Sequence, residues 1–183
     1  MRRARGAVFL DRDGVINARP RNRFITRWEE FRFLPGALKA LRLLRHHGRK
    51  VVIVSNQSAI GRGLLPRKKL REITRRMLES IRKKGGRVHA VYYCTHHPEA
   101  RCPCRKPRAG MVKEAARRLS IHLTGSFVVG DDAVDVRMGQ AAGCRTILVL
   151  SGKQTRAKAR RLNLAPDRIA KDLSEAVEWI LDQ

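Results

Sequence analysis

Two carboxylates two positions apart, Asp11 and Asp13 in Asp11-Arg12-Asp13-Gly14-Val15-Ile16-Asn17, are the residues of this chain best placed to do chemistry. They follow the apolar run Ala7-Val8-Phe9-Leu10, which reads as a buried strand, and Gly14 breaks that strand directly after them. A carboxylate fixed at a strand end can act as a nucleophile, while a second one in the following turn moves protons. The pair can also offer oxygen ligands to a divalent cation. Asp and Gly are equally the ordinary residues of a turn, so the motif alone leaves both readings open.

A second cluster is Cys94-Thr95-His96 with Cys102-Pro103-Cys104, a Cys-x-His-x5-Cys-x-Cys pattern. Three thiolates and one imidazole make a closed tetrahedral set with no position left for water, which suits a structural zinc. The alternative is a group of reduced cysteines. His97 lies beside the pattern but outside it, and Cys144, in Ala141-Ala142-Gly143-Cys144, reads as a small core residue.

Alternating elements must position these groups. Residues 7–11 read as a first strand and 36–48 as a helix with Leu38, Leu41 and Leu44 on one side. Residues 50–54 form a second strand, and 66–84 a basic helix with Ile73, Met77 and Ile81 as its stripe. Pro66 is expected in its first turn, and Gly85-Gly86 ends it. Strands are expected at 88–93, 126–130 and 146–150, and helices at 110–119, 133–142 and 173–181. Such alternation predicts an α/β fold, a parallel sheet with helices on both faces. The 183 residues are expected to form a single domain, 1–183, with a zinc loop at about 94–110 and no large cap domain.

In sheets of this kind ligands bind at the carboxyl ends of the strands. Those ends carry Asp11 and Asp13, then Ser55-Asn56-Gln57-Ser58, then the cysteine cluster with Arg105-Lys106, then Asp131, Asp132 and Asp135. Cations and small donors suit phosphoryl oxygens, and carboxylates suit Mg²⁺.

Arginine supplies 30 of the 41 basic residues, and the formal net charge is +25. That charge favours polyanions in a salt-sensitive way. It is dispersed and aromatics are sparse, so no specific nucleic-acid site is expected, although non-specific polyanion binding is. No secretory signal or membrane span is apparent, and a cytoplasmic monomer with no membrane partner is expected.

Taken together, the four strand-end motifs resemble the haloacid dehalogenase (HAD) phosphohydrolases, over about residues 7–152. More narrowly, they resemble the branch holding the D-glycero-D-manno-heptose 1,7-bisphosphate and histidinol-phosphate phosphatases. The resemblance implies a Rossmann-like fold, with Asp11 as the nucleophile that carries an aspartyl-phosphate. Asp13 would protonate the leaving alcohol and then activate water. Ser55 would hold the phosphoryl group, with Asn56 beside it, and Lys106 would neutralise charge. Mg²⁺ would be held by Asp11, the backbone carbonyl of Asp13, and Asp131. Zn²⁺, bound by Cys94, His96, Cys102 and Cys104, would tie down the loop bearing Arg105 and Lys106.

Ile16-Asn17, the segment from Ser55 to Gly63 and the segment from Arg105 to Met111 resemble the heptose enzymes more closely. Ala59 and Ala109 depart from that pattern, where glycine and proline are usual, and Asp132 takes a place that can carry a substrate-contacting lysine. The small phosphorylated sugar implied is the heptose bisphosphate, cleaved at C7. Arg105 leads as a substrate contact, with Asn56, Gln57, Ser58, Arg19 and Arg21 as further candidates. Histidinol phosphate and a phosphorylated polynucleotide end remain alternative substrates.

Overall fold

The computed structural model describes residues 6–19, 24–153 and 155–183. Six strands, β1 (Val8–Leu10), β2 (Val51–Asn56), β3 (Ala90–Cys94), β4 (Phe127–Gly130), β5 (Arg145–Val149) and β6 (Arg168–Ala170), form one sheet in the order β3-β2-β1-β4-β5-β6. Every pairing is parallel, and Val8 of β1 lies opposite Val51 on one side and Phe127 on the other. The central strands are apolar on both faces because both faces are covered.

The covering helices are α1 (Ala37–His46), α2 (Arg67–Lys83), α3 (Gly110–Leu119), α4 (Ala133–Ala141), α5 (Arg156–Arg161) and α6 (Leu173–Leu181). Alternate residues of β1 divide between two cores, as a strand's period of two requires. Val8 and Leu10 pack with Leu41 and Leu44 of α1, Ile73 and Met77 of α2, and Val177 and Ile180 of α6. Phe9 packs on the other side, with Met111, Val112 and Ala115 of α3 and Met138 of α4. Helices therefore lie on both faces, and among the described residues no insertion forms a cap.

The boundaries differ from the sequence reading where local pattern is weakest. Pro66 sits at the cap position of α2 rather than inside it, with an extended ψ of 142°. β2 continues to Asn56, so Ser55 is a strand residue and not a loop residue. Two elements have no sequence signal: α5 buries only Ala159 among five other residues, four of them basic, and β6 is a three-residue edge strand beginning on exposed Arg168. Neither is long enough to show a period.

Candidate active site

Each strand of the sheet's middle delivers one part of a cleft of about 510 Å³. Asp11 leaves β1 with its backbone N–H donating to Val129 O at 2.9 Å, which fixes the carboxylate above the β1–β4 seam. The turn after it is tight: the N–H groups of Ile16 and Asn17 both donate to Arg12 O. Gly14 adopts φ +95°, and a methyl group there would overlap the Asp131 carboxylate. Glycine is thus required both by conformation and by the close approach of the loop to a carboxylate from β4.

Lys106 arrives from the loop after β3. Its ammonium is buried and donates to Asp11 Oδ1 at 2.7 Å and to Asp135 Oδ1 at 2.6 Å. Asn56, at the end of β2, holds the Lys106 backbone: its Oδ1 accepts from Lys106 N at 3.1 Å and its Nδ2 donates to Lys106 O at 3.4 Å. Burial opposes a charge on Lys106, but Asp11 and Asp135 outweigh it and hold the ammonium well above the usual lysine range.

Asp11, Asp131 and Asp135 are all buried, with carboxylate oxygens within 4.8 Å of one another. Burial, then the Asp11 charge, pushes Asp131 up to about 6. Burial pushes Asp135 up to about 7, with Lys106 opposing and the neighbouring carboxylates assisting. Asp131 Oδ2 accepts from Arg19 Nη1 at 2.8 Å and from Lys153 N at 2.7 Å, while Oδ1 is buried without a partner. Crowded, hard oxygen donors with one orphaned lone-pair atom fit a divalent cation such as Mg²⁺.

Asp13 lines the same cleft but stands apart from this carboxylate cluster. Its Oδ1 accepts from Arg12 Nε, Arg12 Nη2 and Asn17 Nδ2 at 3.3, 3.0 and 2.9 Å. Its Oδ2 accepts from Arg12 Nη2 at 3.0 Å and from Gln57 Nε2 at 2.8 Å. Burial alone would raise its pKa, but the Arg12 charge and these donors hold it below the usual carboxylate range.

Not all expected substrate contacts face the cleft in the same way. Ser55, Ser58 and Arg105 line it, and Arg105 Nη1 is buried without a partner. Gln57 is committed to Asp13, to Arg12 through its Oε1 at 3.1 Å, and to Ser55 Oγ at 3.2 Å. Arg19 is paired with Asp131, and Arg21 lies outside the described residues. Asp132 caps α4: it accepts from Ala133 N, and its own N–H donates to Asp135 Oδ2. Its Oδ2 meets Lys153 Nζ at 2.5 Å. Sequence reasoning gave no role to Arg12, Arg62 or Lys153 and left Asp135 without a partner. The spacing Asp131-x3-Asp135, one helical turn, is the only local signal for the last of these.

The cysteine cluster is assembled as its spacing predicts. Cys94 Sγ lies 3.5 Å from Cys102 Sγ, Cys104 Sγ lies 3.4 Å from Cys102 Sγ, and His96 Nδ1 is 3.3 and 3.8 Å from Cys104 and Cys94. A tetrahedron of Zn–S bonds of about 2.3 Å has edges of roughly 3.8 Å, so the arrangement fits zinc. Burial pushes Cys104 up to about 12 and also raises Cys94. Burial opposes ionisation of Cys102 as well, but hydrogen bonds from Cys104 and Cys94 bring it down to about 7. Only a cation would let all three thiols ionise together.

A parallel sheet with a strand-end carboxylate, a buried lysine and a second acidic cluster defines a class, and the HAD-hydrolase-like family model matches residues 103–176. The chain is 37% identical over 183 residues to the D-glycero-β-D-manno-heptose-1,7-bisphosphate 7-phosphatase of Photorhabdus laumondii, covering 95% of this chain and 96% of that one. It is 35% identical to the enzyme of the same name from Bordetella bronchiseptica, covering 96% and 98%. The crystal structure of the B. bronchiseptica D,D-heptose 1,7-bisphosphate phosphatase, complexed with magnesium and phosphate, superposes with a TM-score of 0.89 over 97% of this chain and 98% of that chain. The Burkholderia thailandensis phosphatase of that name, 31% identical, superposes at 0.73 over 98% and 100%. This chain belongs to the D-glycero-β-D-manno-heptose-1,7-bisphosphate 7-phosphatase family of HAD-like hydrolases.

Proposed function

We propose that this protein removes the 7-phosphate of D-glycero-β-D-manno-heptose 1,7-bisphosphate through an aspartyl-phosphate on Asp11. The observation that carries this reading is the meeting of Asp11, Lys106 and Asp131 at the carboxyl end of the sheet, in a chain that matches heptose bisphosphatases end to end. Lys106 occupies Asp11 Oδ1, which leaves Oδ2 to attack phosphorus. The Oδ2–P bond forms as the bond from phosphorus to the sugar oxygen breaks, and Asp13 gives that oxygen a proton. Asp13 then takes a proton from water as the water attacks the aspartyl-phosphate, releasing inorganic phosphate. Ser55 and Lys106 hold the phosphoryl oxygens.

Asp11, Asp131 and the backbone carbonyl of Asp13 would hold Mg²⁺. Bound there, it screens the charge between nucleophile and phosphoryl group. Cys94, His96, Cys102 and Cys104 would hold a structural zinc, which fixes the loop leading to Arg105 and Lys106. Arg105, with its unpartnered Nη1, is our leading contact for the substrate. A second phosphate gives the site a remote handle, and binding energy there orients the reacting phosphate.

The test is a set of specificity constants. The heptose bisphosphate should exceed histidinol phosphate and a 5′-phosphorylated oligonucleotide, and Arg105→Ala should harm the bisphosphate more than an aryl phosphate. A clearly higher kcat/KM for either alternative substrate would overturn the reading.

A further inference from the structure

The residue between the two carboxylates, Arg12, lies against the cleft yet is only 1% exposed. A fully buried guanidinium needs a reason, because its desolvation must be offset by paired charge and hydrogen bonds. Three of its four hydrogen bonds go to one group, and its Nη1 is buried without a partner. Its Nε and Nη2 form a fork on Asp13, Nη2 also reaches Gln57 Oε1, and the guanidinium carbon lies 5.8 Å from the centre of the Tyr93 ring. Asn17 and Gln57 complete the cradle from the loops after β1 and β2.

The two Asp13 oxygens are not equivalent in this cradle. Oδ1 accepts three donors, whereas Oδ2 accepts Gln57 and shares Nη2 with Oδ1. A carboxylate has about four lone-pair sites, so these five contacts engage both oxygens and hold the group in one orientation.

We propose that Arg12 is a positioning residue for proton transfer: its fork, with Asn17 and Gln57, fixes the orientation of the Asp13 carboxylate toward the leaving oxygen. The inference rests on the role given to Asp13 above. In the first displacement a proton moves from the Asp13 carboxyl to the sugar oxygen as the P–O bond breaks. In the second the Asp13 carboxylate takes a proton from the attacking water, which restores it for the next turnover. Gln57 bonds both Asp13 Oδ2 and Ser55 Oγ, so the same amide ties this carboxylate to the seat of the phosphoryl group.

The test compares leaving groups by kcat/KM, which covers only the steps up to loss of the alcohol. Methyl or sugar phosphates need a proton on the departing oxygen, whereas p-nitrophenolate departs without one. Arg12→Met should lower kcat/KM for the sugar phosphate on the order of 100-fold and for p-nitrophenyl phosphate by about tenfold or less, following the size of general-acid effects. Asp13→Asn should show the same split, and the double variant should be no worse than Asp13→Asn alone. Arg12→Lys keeps the charge but not the fork, so it should fall between wild type and Arg12→Met. It also decides the question if Arg12→Met does not fold.

Equal losses for both leaving groups, in whichever Arg12 variant folds, would reduce Arg12 to a structural role and overturn the proposal. If Asp13→Asn itself shows no split, the fault lies in the role of Asp13 and not in Arg12 alone.

Discussion

Lys106 is the residue on which the charge balance of the cleft turns. It is the buried cation shared by Asp11 and Asp135, beside a third carboxylate on Asp131. Removing it as Lys106→Met leaves buried anions uncompensated, a change that costs about 3–5 kcal/mol. We expect that loss in urea melts, with turnover abolished and part of the stability restored by millimolar Mg²⁺. Asp11→Asn makes the opposite change in charge. It should abolish turnover and phosphoenzyme formation while leaving stability unchanged or raised, since it relieves crowding among the carboxylates. Full activity in Asp11→Asn would contradict the nucleophilic role proposed for it. At this scale the sequence showed which residue types gather at strand ends. It could not show how they pair, because Asp135 meets Lys106 and Arg12 meets Gln57 only after the strands are set side by side.

Among the elements, β3 and the loop that follows it carry the most consequence. The cysteine cluster begins on the last residue of β3 and ends two residues before Lys106. We expect one zinc per chain by elemental analysis of protein purified without affinity metals. Cys102→Ser should lose it, melt at lower temperature and turn over more slowly, although none of the four ligands lines the cleft. Zinc-free protein with full activity would contradict this.

The start of β3 holds a pH-dependent contact. Val51 N–H donates to His89 Nδ1 at 3.1 Å, a role only the neutral tautomer with a bare Nδ1 can fill. Burial, then the charges of Arg87 and Lys50, lowers the His89 pKa. The unfolded chain therefore binds this proton more readily than the folded one. The contribution is present above the unfolded value of about 6.5 and is lost as pH falls through and below it. Urea melts at pH 7.5 and 5.5 should show a loss that His89→Asn reduces; an unchanged difference would rule out this contact as its source. The helices and central strands were legible because each has a run or stripe long enough to count. α5 and β6 were not, since α5 is a single short basic turn and a half, and β6 is fixed by its pairing with β5 rather than by its own residues.

The whole molecule carries a formal charge of +25, spread along the chain. No helix among the described residues is long and apolar enough to cross a membrane. The cleft itself gathers Arg19, Arg62, Arg105 and Lys153 around its acids, which suits an anionic substrate. Away from the cleft the charge should bind polyanions weakly and without sequence preference, with affinity falling steeply between about 50 and 200 mM salt. Tight, sequence-selective binding of an oligonucleotide at physiological salt would contradict that expectation.

The central claim concerns which phosphate leaves and which residue takes it. ³¹P NMR of the reaction with D-glycero-β-D-manno-heptose 1,7-bisphosphate and Mg²⁺ tests it most directly, run in parallel with wild type and Asp11→Asn. We expect the C7 resonance to disappear into inorganic phosphate while the C1 resonance persists, and no change with Asp11→Asn. Release of the C1 phosphate, or equal release by the Asp11→Asn variant, would contradict the account.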